Sequence, residues 1–368
     1  MEELEIKLKE AGKIKRLTNK TFKFDERIKD GFFSANYFLK SQKIVRENEP
    51  NHIVTMQWFQ RRDNVMVCGL DECIALLHTF AIHPEELIID ALDDGDIVSA
   101  MEPVLKVAGK YENFGFLESI IDGILARRSS VATNVKEVLD AAGDTPVFSM
   151  ADRQDDYLTQ VGDGYATYVA GINRVSTDAQ GLWWGGKGMG TMPHALIQIC
   201  GGDIIRAADI YHKTFPNEKV TALIDYHNDV VRDSVRLAKH LGTTLNAVRV
   251  DTSKSLVDHW FDDKDTSSFD PHGVCKELIF ALREELDKNG FDFVKIIVSS
   301  SFNKEKIAEW KKLGVPVSMY GVGTSFVNNM TCGFTGDLVI LDGKHEAKEG
   351  RDNYPSARLK KVPYPIYL

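Results

Sequence analysis

The chain of 368 residues carries 45 Lys+Arg against 54 Asp+Glu, a formal charge of −9, with 43% hydrophobic and 27% charged residues. That is the composition of a folded globular protein with enough chain for two domains, and its acidic balance excludes the basic face that a nucleic-acid or membrane-surface protein needs. No apolar run approaches the roughly 18–20 residues of a membrane span, MEELEIKLKEAGKIKR offers no signal peptide, and five cysteines in so long a chain suit reduced thiols in a cytoplasmic protein.

The charged segment before Gly31 gives no clear element. NHIVTMQWFQ (51–60) and NVMVC (64–68) read as strands around the turn Arg61-Arg62-Asp63, and DECIALLHTFA (71–81) as a helix. ELIIDAL (86–92) and DIVSAMEPVLKVAG (96–109) are further β-rich runs, completing an α+β unit over 1–115. From Phe116 the rhythm changes. One long helix or a pair fills 116–143, and TPVFSM (145–150) is a buried strand; a helix within 155–170, a strand at INRVS (172–176), a glycine-rich loop and a helix over 191–212 follow. Strands at VTALID (220–225), NAVRVD (246–251), FVKIIVSSS (293–301) and VPVSMYGVGT (315–324) then alternate with helices at 227–241, 272–290 and 304–314. Such alternation means parallel βαβ units. No strand opens on G-x-G-x-x-G, so the dinucleotide-binding open sheet loses support and an α/β barrel over 116–330 is favoured. DLVILDGKHEAK (337–348) and ARLKKVPYP (357–365) read as strands of a C-terminal part, 331–368, that returns to the first domain.

A parallel barrel builds its site from the loops at the carboxyl ends of its strands. Here those ends carry Asp152 and Arg153, Asp178, Asp225, Asp251, Ser299-Ser300-Ser301 and Gly321-Val322-Gly323-Thr324. The last two loops offer unobstructed N–H groups and hydroxyls on the strands where a barrel commonly holds phosphate; the alternative is that the glycines make tight turns and the serines cap a helix. GLWWGGKG (181–188) follows a P-loop through Lys187 but has Gly188 in place of the Mg²⁺-binding hydroxyl, leaving a mobile loop or an ordinary surface turn. Pro193 suits the first turn of a helix, which sets His194 at the positive helix end as a neutral, nucleophilic imidazole or else a structural residue. Asp225 and Asp251 end neighbouring strands, and Arg249, opposite in parity to Val248 and Val250, faces inward to meet an anion or to pair with an aspartate. The histidines and cysteines lack metal-ligand spacing, so no protein-built metal site is expected.

Taken in order, FGFLESIIDGILARRSSVATN (114–134), GTMPHAL (190–196), LIDYHND (223–229), VRVD (248–251), IIVSSSF (296–302) and YGVGT (320–324) resemble the nicotinate phosphoribosyltransferases, a type II phosphoribosyltransferase family. The resemblance implies an irregular parallel α/β barrel of six or seven strands beside an α+β domain. It implies transfer of phosphoribosyl from phosphoribosyl pyrophosphate (PRPP) to nicotinate in NAD salvage, with Mg²⁺, with ATP as co-substrate, and in a homodimer or higher homo-oligomer that shares active sites. His194 then matches the transiently phosphorylated histidine, Thr191 and Arg249 the nicotinate contacts, and Thr324 a PRPP phosphate contact. Asp225 and Asp251 take the catalytic carboxylate roles, Ser299, Ser300, Gly321 and Gly323 those of the phosphate loops, and Arg128 and Arg153 those of further phosphate ligands. Phe32 or Phe33 matches the aromatic that stacks on the base across the dimer. One departure stands out: the family often continues Arg-x-Asp with Ser-Gly-Asp, whereas Asp251 is followed by Thr252-Ser253-Lys254. The rival expectations are a nicotinamide or quinolinate phosphoribosyltransferase, a non-catalytic sugar-phosphate-binding barrel, and an aldolase-like lyase.

Overall fold

A computed structural model describes residues 4–330 and 332–364. Two sheets organise the chain. The first is antiparallel, with six strands in the order Lys344–His345, Thr335–Leu341, Ile53–Phe59, Leu105–Lys110, Ile88–Ala91 and Lys360–Val362. The second is parallel, in the order Val147–Ser149, Met319–Val322, Lys295–Val298, Leu245–Val250 and Val220–Leu223. Val175 carries this sheet beyond Ser149 through single parallel bridges to Ser149 and Gly188. These bridges are the irregular remainder of a barrel-like domain, and they correct the strand expected at 172–176. Gly171 (φ +113°) and the helix that starts at Asp178 leave too little extended chain there for a ladder.

The tail strands pair as the alternation of DLVILDGKHEAK suggests. Asp342 and Gly343, at φ +49° and +77°, turn the chain back, and Thr335–Leu341 adds to the edge of Ile53–Phe59. Of the segment 357–365, Lys360–Val362 pairs with Ile88–Ala91, while Pro365 lies outside the described residues. Strands 51–60 and 64–68 do not pair with one another. Val65–Met66 instead joins Ile97–Val98 in a two-stranded ladder, because the Gln60 side chain bonds both the N–H and the carbonyl of Arg62 and turns the chain away.

The helix over 116–143 is a single rod, Glu118–Ala142, that serves two cores. Ile121 and Leu125 pack beneath the antiparallel sheet, and Val131, Val135 and Val138 pack with the barrel strands. The N-terminal segment joins the barrel core through Ile6, Leu17 and Phe22. Buried Asp71 holds it there, taking Lys9, Arg16 and the N–H of Leu17. The helix expected over 191–212 is two, His194–Ile199 and Ile204–Thr214, because Gly201 and Gly202 (φ +74° and +82°) break it. Three further barrel helices, Val230–Leu241, Lys276–Lys288 and Lys304–Lys312, bury one face each over the strands.

Candidate functional site

The carboxyl ends of the parallel strands surround a cavity of about 570 Å³. Its wall includes Phe148, Met150, Asp152, Arg153 and Gln154 from the first barrel strand and its loop, Arg249, Asp251 and Ser253 from the fourth segment, Ser299–Phe302, and Gly321, Gly323 and Thr324. Strand parity explains how Arg249 comes to be there. In Leu245–Val250 the neighbours Val248 and Val250 are fully buried toward the helices, so Arg249 projects to the opposite side, half-buried. Its guanidinium donates to Thr191 Oγ1 at 3.0 Å, while its Nε is buried without a partner. Burial depresses its basicity, Asp251 and Asp225 work the other way, and Arg153 adds to the depression. The orphaned Nε–H and the half-buried charge mark a group held ready for an anion.

Asp251 accepts from the buried Ser299 hydroxyl at 2.8 Å. Asp225 lies two residues beyond the end of the neighbouring strand, Val220–Leu223, and 3.1 Å from Nε2 of His194, the first residue of its helix after Pro193 as N-cap. Burial raises Asp225 above the ordinary carboxylate range; His194 pulls it down and Asp251 pushes it up. Thr191, His194 and Asp225 do not themselves line the cavity, but the Thr191–Arg249 bond ties Thr191 to its wall.

Main-chain geometry sets the phosphate loops. Ser300 and Ser301 both take positive φ, +77° and +60°, a strained choice for non-glycine residues that is typical of functional turns. Gly321 and Gly323 are glycines for a reason the sequence did not suggest. Neither needs positive φ; a Cβ on Gly321 would stand 2.7 Å from Met150 Cε, and one on Gly323 2.5 Å from the Met150 carbonyl. Close approach to the Met150 backbone, rather than a left-handed turn, requires Gly323, whereas at Gly321 the contact is with the movable end of the Met150 side chain.

Three expected residues lie elsewhere in the single chain. Arg128 is bound to Glu72 (2.9 Å) with Trp183 beside it, away from the cavity. Phe32 and Phe33 are exposed, edge-to-face at 5.0 Å under Arg27. The glycine-rich loop is anchored rather than loose. Gly186 N–H donates to Gly181 O, Gly188 N–H to Asp178 Oδ1, and Met189 N–H to Val175 O. Lys187 is exposed beside Asp178. Sequence reasoning missed Phe148, Met150, Gln154, Ser176 and Ser253 as lining residues. Strand parity and the position of the strand ends were the available signals.

Among the described residues no three His, Cys, Asp or Glu side chains group closely enough to hold a metal ion. Asp152 and Asp251 at a cavity wall suit a divalent cation that arrives on substrate phosphates, which needs only one or two protein carboxylates. Also among the described residues, no helix is long and apolar enough to cross a membrane.

A parallel barrel-like domain with its polar site at the strand ends is thus flanked by an antiparallel α+β unit. Residues 37–129 match the family Quinolinate phosphoribosyl transferase, N-terminal domain. Over 264 residues the chain is 27% identical to the nicotinate phosphoribosyltransferase pncB1 of Mycobacterium tuberculosis, covering 69% of this chain and 54% of that protein. It is 22% identical to the nicotinate phosphoribosyltransferase of Bacillus subtilis, covering 64% of this chain and 45% of that one. The chain therefore spans about half the length of these curated relatives. The nicotinate-nucleotide pyrophosphorylase of Pyrococcus furiosus superposes with a TM-score of 0.78 at 29% identity, covering 93% of this chain and 85% of that one. Human nicotinic acid phosphoribosyltransferase gives 0.66 at 16% identity, covering 87% and 77%, a likeness of fold alone. In fold and in sequence the chain resembles these phosphoribosyltransferases.

Proposed function

We propose that this chain transfers the phosphoribosyl group of PRPP to the ring nitrogen of nicotinate, giving nicotinate mononucleotide and pyrophosphate in NAD salvage. The observation that carries the reading is the meeting, in one cavity, of Arg249 and Asp251 with the Ser299–Ser301 and Gly321–Thr324 loops. Arg249, braced on Thr191, holds the nicotinate carboxylate, and Phe148 offers an aromatic wall for the ring. The loop N–H groups and hydroxyls, with Arg153, hold phosphate oxygens. The ring nitrogen is already nucleophilic, so no strong base is needed. As the bond to pyrophosphate lengthens, positive charge grows on the ribose; the carboxylate of Asp251 in the cavity wall stabilises it, with Asp225 acting from behind the wall. Asp152 and Asp251 are the residues that would hold Mg²⁺, which when bound neutralises part of the pyrophosphate charge. Exposed Phe32 and Phe33 are assigned to the cavity of a second copy, in a homodimer.

ATP coupling is part of the proposal. His194, oriented by Asp225 through one ring nitrogen, accepts the γ-phosphoryl of ATP on the other and releases ADP. The modification adds about −1.5 to −2 charges beside the Thr191–Arg249 contact. Quinolinate is the second reading, favoured by the match over residues 37–129. Only Arg153 and Arg249 are cationic among the lining residues, which suits a monocarboxylate beside PRPP better than a dicarboxylate.

The test is a substrate panel with PRPP, with and without ATP. Nicotinate alone yielding mononucleotide supports the proposal; turnover of quinolinate with loss of carbon dioxide, or of nicotinamide in preference, overturns it. For the ATP step, His194→Ala is expected to lose ATP stimulation and the acid-labile phosphate that the wild type carries. Full ATP-stimulated turnover in that variant contradicts the step.

A further inference from the structure

The cavity's own side chains are short of positive charge for the ligand proposed for it, apart from what a metal ion on the phosphates would supply. Its two lining cations, Arg153 and Arg249, are balanced by two lining acids, Asp152 and Asp251. A single phosphomonoester brings about −1.5 to −2 charges at neutral pH, and PRPP carries a pyrophosphate besides. Lys187 on the glycine-rich loop already has Asp178 as a neighbour at 3.4 Å.

The loop after Asp251 supplies another cation. Thr252 is buried and Ser253 lines the cavity; the next residue, Lys254, is not itself a lining residue but is exposed and outside every ion pair among the described residues. Its main chain is fixed. Leu256 N–H donates to Ser253 O at 2.9 Å, making Lys254 and Ser255 the central pair of a turn, and the Ser253 and Ser255 hydroxyls meet at 3.0 Å. Behind the turn, Gly273 (φ +66°) lies so close that a Cβ on it would stand 2.9 Å from Lys254 Cα, and its N–H bonds Leu256 O at 2.8 Å. The turn is thus braced on one side by the excursion that leaves and returns between 256 and 273, while a flexible four-carbon stem carries the ammonium.

We infer that Lys254 is a phosphate-binding residue for PRPP, its ammonium closing on a phosphate oxygen at the cavity mouth once the sugar phosphate is seated. The inference rests on the reading of the cavity as a PRPP site and adds to it a charge that the wall lacks.

The experiment is calorimetric titration of PRPP with Mg²⁺ into the full chain, paired with steady-state kinetics, for wild type, Lys254→Ala, Lys254→Glu and Lys254→Arg. Because the residue is exposed, the variants should fold, and their circular dichroism and melting curves check this. Loss of one hydrogen bond to a charged oxygen should raise the Kd and KM for PRPP about tenfold in Lys254→Ala. Lys254→Glu should show a larger rise and Lys254→Arg recovery to about twofold of wild type, with the nicotinate KM unmoved. Wild-type affinity for PRPP in both Lys254→Ala and Lys254→Glu overturns the assignment while leaving the cavity reading intact. Failure of the wild type to bind PRPP overturns both.

Discussion

Arg249→Gln is the perturbation most informative about what the cavity recognises. The substitution keeps a polar side chain of moderate length at a half-buried site but removes the charge, the donor to Thr191 Oγ1 and the buried Nε–H that has no protein partner. A hydrogen bond to a charged group contributes about 1.5–3 kcal/mol, so losing the carboxylate partner should raise the nicotinate KM about ten- to 150-fold. The variant also leaves Asp251 and Asp225, both electrostatically coupled to Arg249, without their nearby cation, so a smaller fall in kcat should accompany the change. Arg249→Lys keeps the charge but not the planar fork, and belongs between the two. The assay is initial-rate kinetics with nicotinate varied at saturating PRPP, repeated with nicotinamide, which has no carboxylate to lose. A nicotinate KM within about threefold of wild type, or an equal loss for both substrates, refutes the carboxylate assignment.

Gly323→Ala should raise the PRPP KM and lower kcat together, by about 10²-fold in kcat/KM, because a Cβ 2.5 Å from the Met150 carbonyl must displace the loop that carries Thr324; near-wild-type kinetics would show that the loop yields without cost. A stability prediction comes from the other domain. Burial, with Asp122 and Asp337 adding to it, pushes Glu118 up to about 8, and burial with Asp337 pushes Asp122 up to about 7. The folded chain then holds protons that the unfolded chain has released. The stability these groups contribute is fully present below their unfolded values near 4–4.5 and is lost as the pH climbs through about 7 and 8. Glu118→Gln should therefore stabilise the protein by about 1–2 kcal/mol at pH 8.5, after discounting for residual exposure, and much less at pH 5. Urea melts at the two pH values check this, and an equal effect at both contradicts it.

Periodicity and strand-end chemistry made most of the site legible. The Val248-Arg249-Val250 alternation revealed the inward arginine, and the polar ends of successive apolar strands marked the positions that surround the cavity. Long-range partners were not visible. Arg128 is neutralised by Glu72, 56 positions away, and nothing local to either residue announces the pair. The break at Gly201-Gly202 was present as two glycines, but a continuous apolar period masked it until their positive φ values were known. The strand at 172–176 had the right composition and too little room. Gly321 and Gly323 looked like turn glycines because a close approach to Met150, some 170 residues earlier in the chain, has no sequence signature.

The most direct measurement of the central claim is a crystal structure of the protein soaked with PRPP, Mg²⁺ and nicotinate. Phosphate oxygens are expected on the Ser299–Ser301 and Gly321–Thr324 loops, with the pyridine carboxylate on Arg249 against Phe148. Ligands seated elsewhere, or a carboxylate facing away from Arg249, would contradict it.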